Sequence, residues 1–131
     1  MPAVLVHGVP DTPHIWDRVR ANLSRTDVLT PALPGFGCPV PDGFDCSKEA
    51  YAAWLAGELE AIVEETGSPV DLVGHDWGSL LVQHVGSSRP DLVRTWVAGN
   101  GPVDEEYTWH DAAQLFQTPE VGEQVIEAMT A

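Results

Sequence analysis

Apolar residues fall along this chain in two alternating rhythms. Ala3-Val4-Leu5-Val6 is a short continuous apolar run, the signature of a strand buried on both faces, as in a parallel sheet. It stops at His7-Gly8-Val9-Pro10-Asp11-Thr12-Pro13, a stretch dense in turn signals. Thr12 suits the cap of a helix and Pro13 its first position. Ile15, Trp16, Val19 and Leu23 then recur at helical spacing. Asp27-Val28-Leu29-Thr30 reads as a second short strand. Residues 31–47 form a long loop rich in proline and glycine, and long loops inside compact domains are often functional. Ser47 caps a strong helix whose buried stripe is Tyr51, Leu55, Leu59, Ile62 and Val63, and Gly67 ends it. Val70-Asp71-Leu72-Val73 is a third strand. Gly74-His75-Asp76-Trp77-Gly78 turns sharply, and a helix runs on to about Arg89, where Pro90 stops it. Leu80, Leu81, His84 and Val85 are its apolar side. Val93 to Ala98 is a fourth strand, broken by Asn100-Gly101-Pro102, and the remainder from Glu105 reads as helical with an interruption near Thr118-Pro119.

Strands alternating with helices predict an α/β fold, a parallel sheet covered by helices. In such sheets chemistry sits beyond the carboxyl ends of the strands. Both turn-rich motifs, His7 to Thr12 and Gly74 to Gly78, lie at such ends.

The length of 131 residues fits one domain with a core of its own. Twenty acidic residues against six Lys plus Arg give a net charge of -14, which repels nucleic-acid phosphates and anionic membranes and argues against both as partners. No apolar run approaches membrane-span length, and the N-terminus lacks a basic region followed by an apolar one, so no signal peptide is expected. Cys38 and Cys46 are the two cysteines and form no CxxC pair. Their number suits a reducing cytoplasm, the expected location, and equally a structural disulfide. No His, Cys and Asp cluster has ligand spacing, so neither a metal nor an organic cofactor is implied.

The stretch Gly74-His75-Asp76-Trp77-Gly78 has the form small-x-nucleophile-x-small between a strand and a helix. A residue in a strained conformation on so tight a turn needs glycine flanks. The helix that follows aims free N–H groups and its positive dipole end at Asp76, an arrangement suited to negative charge. The competing reading is a plain strand-to-helix turn with an acidic cap. Asp71-Leu72-Val73-Gly74-His75-Asp76-Trp77-Gly78 resembles the nucleophile elbow of epoxide hydrolases and haloalkane dehalogenases, in the α/β-hydrolase superfamily. His7-Gly8-Val9-Pro10 is similar to the HGxP motif of those enzymes, and Leu33-Pro34-Gly35-Phe36-Gly37 resembles a later loop of theirs. The resemblance runs from about Val4 to Ala98. It implies that residues 1–101 are part of an α/β-hydrolase core and 102–131 the start of a helical cap. It implies Asp76 as the nucleophile on a small apolar electrophilic substrate, forming an ester; an ionised carboxylate needs no base for that attack. It further implies an oxyanion hole from the backbone N–H groups of Val9 and Trp77. His7, Gly8, Pro10, Gly74 and Gly78 would shape the two loops, with a cis bond before Pro10. His7 itself is expected to be a hydrogen-bonded loop histidine.

The family's water-activating histidine comes after its last strands. His14, His75, His84 and His110 do not match that position, and His84 reads as a core residue. Asp104 lies near where some relatives carry the orienting acid, but a solvated loop acid is the preferred reading. Tyr107, Trp109 and Phe116 read as ordinary packing aromatics. Relatives also carry strands before Ala3 and after Ala98, so the expectation is a truncated chain with an exposed sheet edge that self-associates. Three functions stay open: an epoxide-hydrolase-like enzyme, a haloalkane-dehalogenase-like enzyme, and a non-catalytic remnant. Val9 has no side-chain donor for a halide, which favours the first over the second.

Overall fold

The computed structural model describes residues 1–102 and 104–130. Strand β1 (Ala3–Val6) leads through a 3-10 turn at Pro13–Trp16 into helix α1 (Asp17–Asn22) and strand β2 (Val28–Leu29). Two short strands follow inside the expected loop, β3 (Leu33–Pro34) and β4 (Gly37–Cys38), then helix α2 (Lys48–Thr66). Strand β5 (Val70–His75), helix α3 (Trp77–Ser88) and strand β6 (Val93–Gly99) come next, with helices α4 (Asp111–Phe116) and α5 (Val121–Thr130) at the end.

The main sheet has the order β2-β1-β5-β6, and every pair in it is parallel. Strand β1 is buried along its whole length, which is why its sequence is a continuous apolar run. Val4 and Val6 face a core formed with Leu55 and Leu59 of α2, Leu81, Val82 and Val85 of α3, and Val70 and Leu72 of β5. Ala3 and Leu5 face a smaller cluster with Val28, Trp16 and Val73.

Helix α2 begins where the Ser47 hydroxyl accepts the Ala50 N–H at 3.1 Å, and it ends at Gly67 in the left-handed conformation, φ 68°. Three expectations do not hold. Thr12 makes no side-chain cap bond; Pro13 sets the first turn without it. His84 is exposed, because the buried stripe of α3 is centred on Gly78, Leu81, Val82 and Val85 and His84 points about a quarter turn away. Strand β6 is not buried on both faces: Trp96 is 44% and Val97 61% exposed, since β6 has a neighbour on one side alone.

Candidate active site

Strands β1 and β5 run parallel, with Val6 opposite Gly74. Their carboxyl ends therefore deliver the His7 loop and the Asp76 turn to one place. Asp76 stands between β5 and α3 with φ 54° and ψ -123°, a conformation that L residues avoid. The turn holds because its flanks have no side chains. A Cβ on Gly74 would run into the Gly78 carbonyl, and one on Gly78 into the carbonyls of Val6 and His7. Gly8 faces the nucleophile position directly, and a Cβ there would overlap the Asp76 carboxylate. Asp76 is fixed at both backbone ends, its N–H donating to Gly99 O at 3.1 Å and its carbonyl accepting Ser79 N–H at 2.9 Å.

The carboxylate points back across the sheet. Its Oδ2 accepts the Val9 N–H at 2.9 Å. Val9 precedes Pro10 through a cis peptide bond. Trp77 is the first residue of α3, so its N–H belongs to the unshared donors at that helix start. Val9 and Trp77 thus flank Asp76 from the two loops.

His7 is fully buried and sits behind this loop. Its Nε2 accepts the Leu33 N–H at 3.0 Å. Nδ1 therefore carries the proton and donates to the Gly8 carbonyl at 2.8 Å. Burial pushes the His7 pKa below its ordinary 6.5, against the opposing pull of the Gly8 bond and the Asp11 charge. His7 is a neutral tether between the Val9 loop and β3.

The other histidines lie apart from the carboxylate. His75 faces Trp16 edge-on at 6.4 Å between ring centroids. Its Nε2 lies 3.5 Å from Asn100 Nδ2. His14 pairs with Asp17 at 3.0 Å on the surface, and His110 caps α4 by accepting the Ala113 N–H at 3.2 Å. Among the described residues no histidine nitrogen bonds the Asp76 carboxylate. Asp104 is exposed and accepts the Glu106 N–H at 2.9 Å, the solvated turn acid that was expected. Tyr107 and Trp109 pack edge-on at 5.4 Å and remain largely exposed. Among the described residues no group of three or more His, Cys, Asp or Glu is placed to hold a metal, and no helix is long and apolar enough to cross a membrane.

Sequence reasoning treated Asn100-Gly101-Pro102 as a strand break alone. The structure gives it a part in the site. Asn100 adopts φ 57°, which asparagine tolerates better than most residues. A Cβ on Gly101 would overlap the Ser79 hydroxyl. These residues, with Ser79, Gln83 and Trp96, line a cavity of 260 Å³ beside the turn. Ser79 Oγ is buried there without a partner. Asn-Gly at a strand's carboxyl end was the available signal.

The alpha/beta hydrolase family model matches residues 3–128. The chain belongs to the alpha/beta hydrolase family. It is similar to epoxide hydrolase 2 of Siraitia grosvenorii, 34% identical over 73% of this chain and 31% of that enzyme. It is also similar to the haloalkane dehalogenase of Bradyrhizobium diazoefficiens, 31% identical over 95% of this chain and 46% of that one. The crystal structure of an ancestral haloalkane dehalogenase superposes with a TM-score of 0.74 and 28% identity, covering 98% of this hydrolase chain and 47% of that chain. The chain thus spans half or less of the length of these relatives.

Proposed function

We propose that this chain carries the nucleophile-bearing half of an epoxide-hydrolase-like enzyme, with Asp76 as the nucleophile. The observation that supports this most is the Asp76 carboxylate held in a strained turn with Oδ2 on the Val9 N–H at 2.9 Å. In the proposed step the free carboxylate oxygen attacks a carbon of a small apolar epoxide. The ring C–O bond breaks, the released oxygen takes a proton, and a hydroxyalkyl ester forms on Asp76. When water later attacks the ester, the Val9 and Trp77 N–H groups receive the charge on the carbonyl oxygen. That second step needs a histidine base, and none of the described histidines reaches Asp76. The ester is therefore expected to form and persist.

Haloalkane chemistry is the second reading, because the Bradyrhizobium relative is a dehalogenase and Trp77 adjoins Asp76. Val9 offers no side-chain donor to a leaving halide, so the epoxide reading ranks first. In this account residues 1–101 are the partial core, 102–131 open the cap, and the protein works in the cytoplasm.

The test is intact mass after incubation with a panel of epoxides and haloalkanes, with Asp76→Ala as control. An adduct carrying the whole epoxide, absent in the control, supports the reading. An alkyl adduct without halide moves the assignment to dehalogenase chemistry. No adduct from a folded chain overturns catalysis and leaves a non-catalytic remnant.

The exposed β6 edge is proposed as a self-association surface. The charge of -14 opposes it, so added salt is expected to raise the dimer fraction in sedimentation. Trp96→Lys is expected to abolish it; a monomer under all salts sinks the idea.

A further inference from the structure

We propose that Cys38 and Cys46 form a reversible disulfide under peroxide, and that this bond acts on the loop that holds His7. The two thiols bracket the segment 39–45, which doubles back through a turn where Phe44 N–H donates to Pro41 O at 3.1 Å. Both of its ends converge on Tyr51 in the first turns of α2. The Tyr51 hydroxyl donates to Pro34 O at 2.7 Å, and Pro34 is the β3 residue paired with Cys38. On the other side the Phe44 ring packs edge-on against Tyr51 at 4.9 Å, and Cys46 Sγ lies 4.0 Å from Phe44 O. Burial first, and then the neighbouring thiols of Cys46 and Cys38, raise the Tyr51 pKa. One hydroxyl therefore marks the ground between the two cysteines.

Both thiols are free, and both are held by weak bonds alone. Cys38 Sγ shares its hydrogen between Ala32 O at 3.3 Å and Leu33 O at 3.5 Å; thiols are poor donors. Cys46 is exposed and Cys38 partly so, which makes Cys46 the sulfur that peroxide meets first. The Cys46 thiol gives up its hydrogen and gains the hydroxyl of hydrogen peroxide, releasing one water and leaving a sulfenic acid. The Cys38 sulfur then attacks that sulfur, loses its proton and expels a second water. Two thiols are oxidised to a disulfide and one peroxide is reduced. Within a reducing compartment such a bond is transient and sensory rather than structural.

The position of Cys38 gives the bond a consequence. To reach Cys46 its sulfur leaves the carbonyls of Ala32 and Leu33. Leu33 also donates its N–H to His7 Nε2, and His7 supports Gly8 and Val9. Oxidation is thus expected to shift the His7 tether. The disulfide itself is independent of any chemistry at Asp76; its bearing on turnover rests on the function proposed above.

The reduced full chain is treated with hydrogen peroxide, free thiols are alkylated, and intact mass and a peptide map are recorded. The expected product has lost two hydrogens, takes no alkyl label, shows a 38–46 cross-link and reverts with dithiothreitol. Cys38→Ser and Cys46→Ser each abolish it and gain oxygen instead. Asp76→Ala still forms it, which separates this proposal from the nucleophile reading. A folded wild-type chain that gains oxygen at each cysteine, stays alkylatable, or links to a second chain on a non-reducing gel overturns the disulfide. The His7 ring resonances in NMR are expected to move on oxidation; unmoved resonances overturn the coupling to the site.

Discussion

Strands β5 and β6 lie side by side, run parallel and read alike in sequence, yet one is interior and the other is not. In β5 the residues Val70, Leu72 and Gly74 are buried and the alternate ones half-buried. In β6 Val93 alone is buried. Leu72 is opposite Trp96, and Val73 opposite Val97, so the rungs match while their surroundings do not. Strand β5 has β1 on its far side; β6 has nothing beyond it among the described residues. Apolar periodicity announces a strand, but the number of neighbours decides what the strand buries. The same contrast holds at the carboxyl ends. A Cβ on Gly74 or Gly78 strikes backbone, whereas one on Gly99, opposite His75, meets nothing.

The largest expected effect separates these strands by packing. Leu72 is fully buried, so Leu72→Ala should lower the unfolding free energy by ~2–5 kcal/mol. Val97→Ala, at 61% exposure, should stay within ~0.5 kcal/mol. Urea denaturation of both variants checks this. Equal losses would mean that β6 is covered in solution and would break the comparison. The next effect belongs to the glycines. Gly78→Ala should destabilise by about 1–3 kcal/mol through overpacking against β1 and suppress ester formation on Asp76. Gly99→Ala should leave both nearly unchanged. Thermal melts together with adduct mass spectra measure the pair.

Much of this was legible in the sequence because its causes are local. The glycine flanks of Asp76, the Ser47 cap and the Gly67 stop each depend on a few consecutive residues. So does the alternation of strand and helix, and the family resemblance added the nucleophile and its loop. What was not legible depends on distant partners. His84 has an apolar neighbourhood in sequence and an exposed side chain in space. Trp96 and Val97 look like core until the strand order is known. The bond from Leu33 N–H to His7 joins residues 26 apart, and nothing at either position announces it. Asn100 carried a signal in its Asn-Gly pair, which read only as a break.

The two neighbours of β5 also differ in the titratable group at their ends. Strand β1 leads into buried His7 and β6 into exposed Asn100. Because burial holds His7 below its ordinary 6.5, the unfolded chain takes up that proton first. Stability is then full above 6.5, falls as the pH drops through that value, and levels off once the folded imidazole is protonated. His7→Ala should remove this acid-side slope and, by stranding the Leu33 N–H, cost about 1–3 kcal/mol at neutral pH. A slope that survives the substitution would assign it to another group.

The smallest effect tests the one place where β5 and β6 are tied by side chains. Asp71 of β5 accepts Arg94 Nε at 2.9 Å and Thr95 Oγ1 at 2.6 Å on Oδ1, and Arg94 Nη2 at 2.5 Å on Oδ2. Arg94 first and then Thr95 hold the Asp71 pKa below its ordinary 3.8. The sign is that of a depressed acid. Its contribution is present above 3.8 and is lost as the pH falls through the lower, folded value, a window separate from that of His7. Arg94 is 48% exposed on its side chain, so water and salt screen the pair, and Asp71→Asn should cost only ~0.5–1.5 kcal/mol. Because the tie joins the interior strand to the edge strand, its loss should loosen β6 more than β5. Amide hydrogen exchange at Thr95 to Val97 should then accelerate while that of Leu72 and Val73 holds. Equal acceleration in both strands would mean that the sheet opens as one unit and that the edge is less separate than its exposure implies.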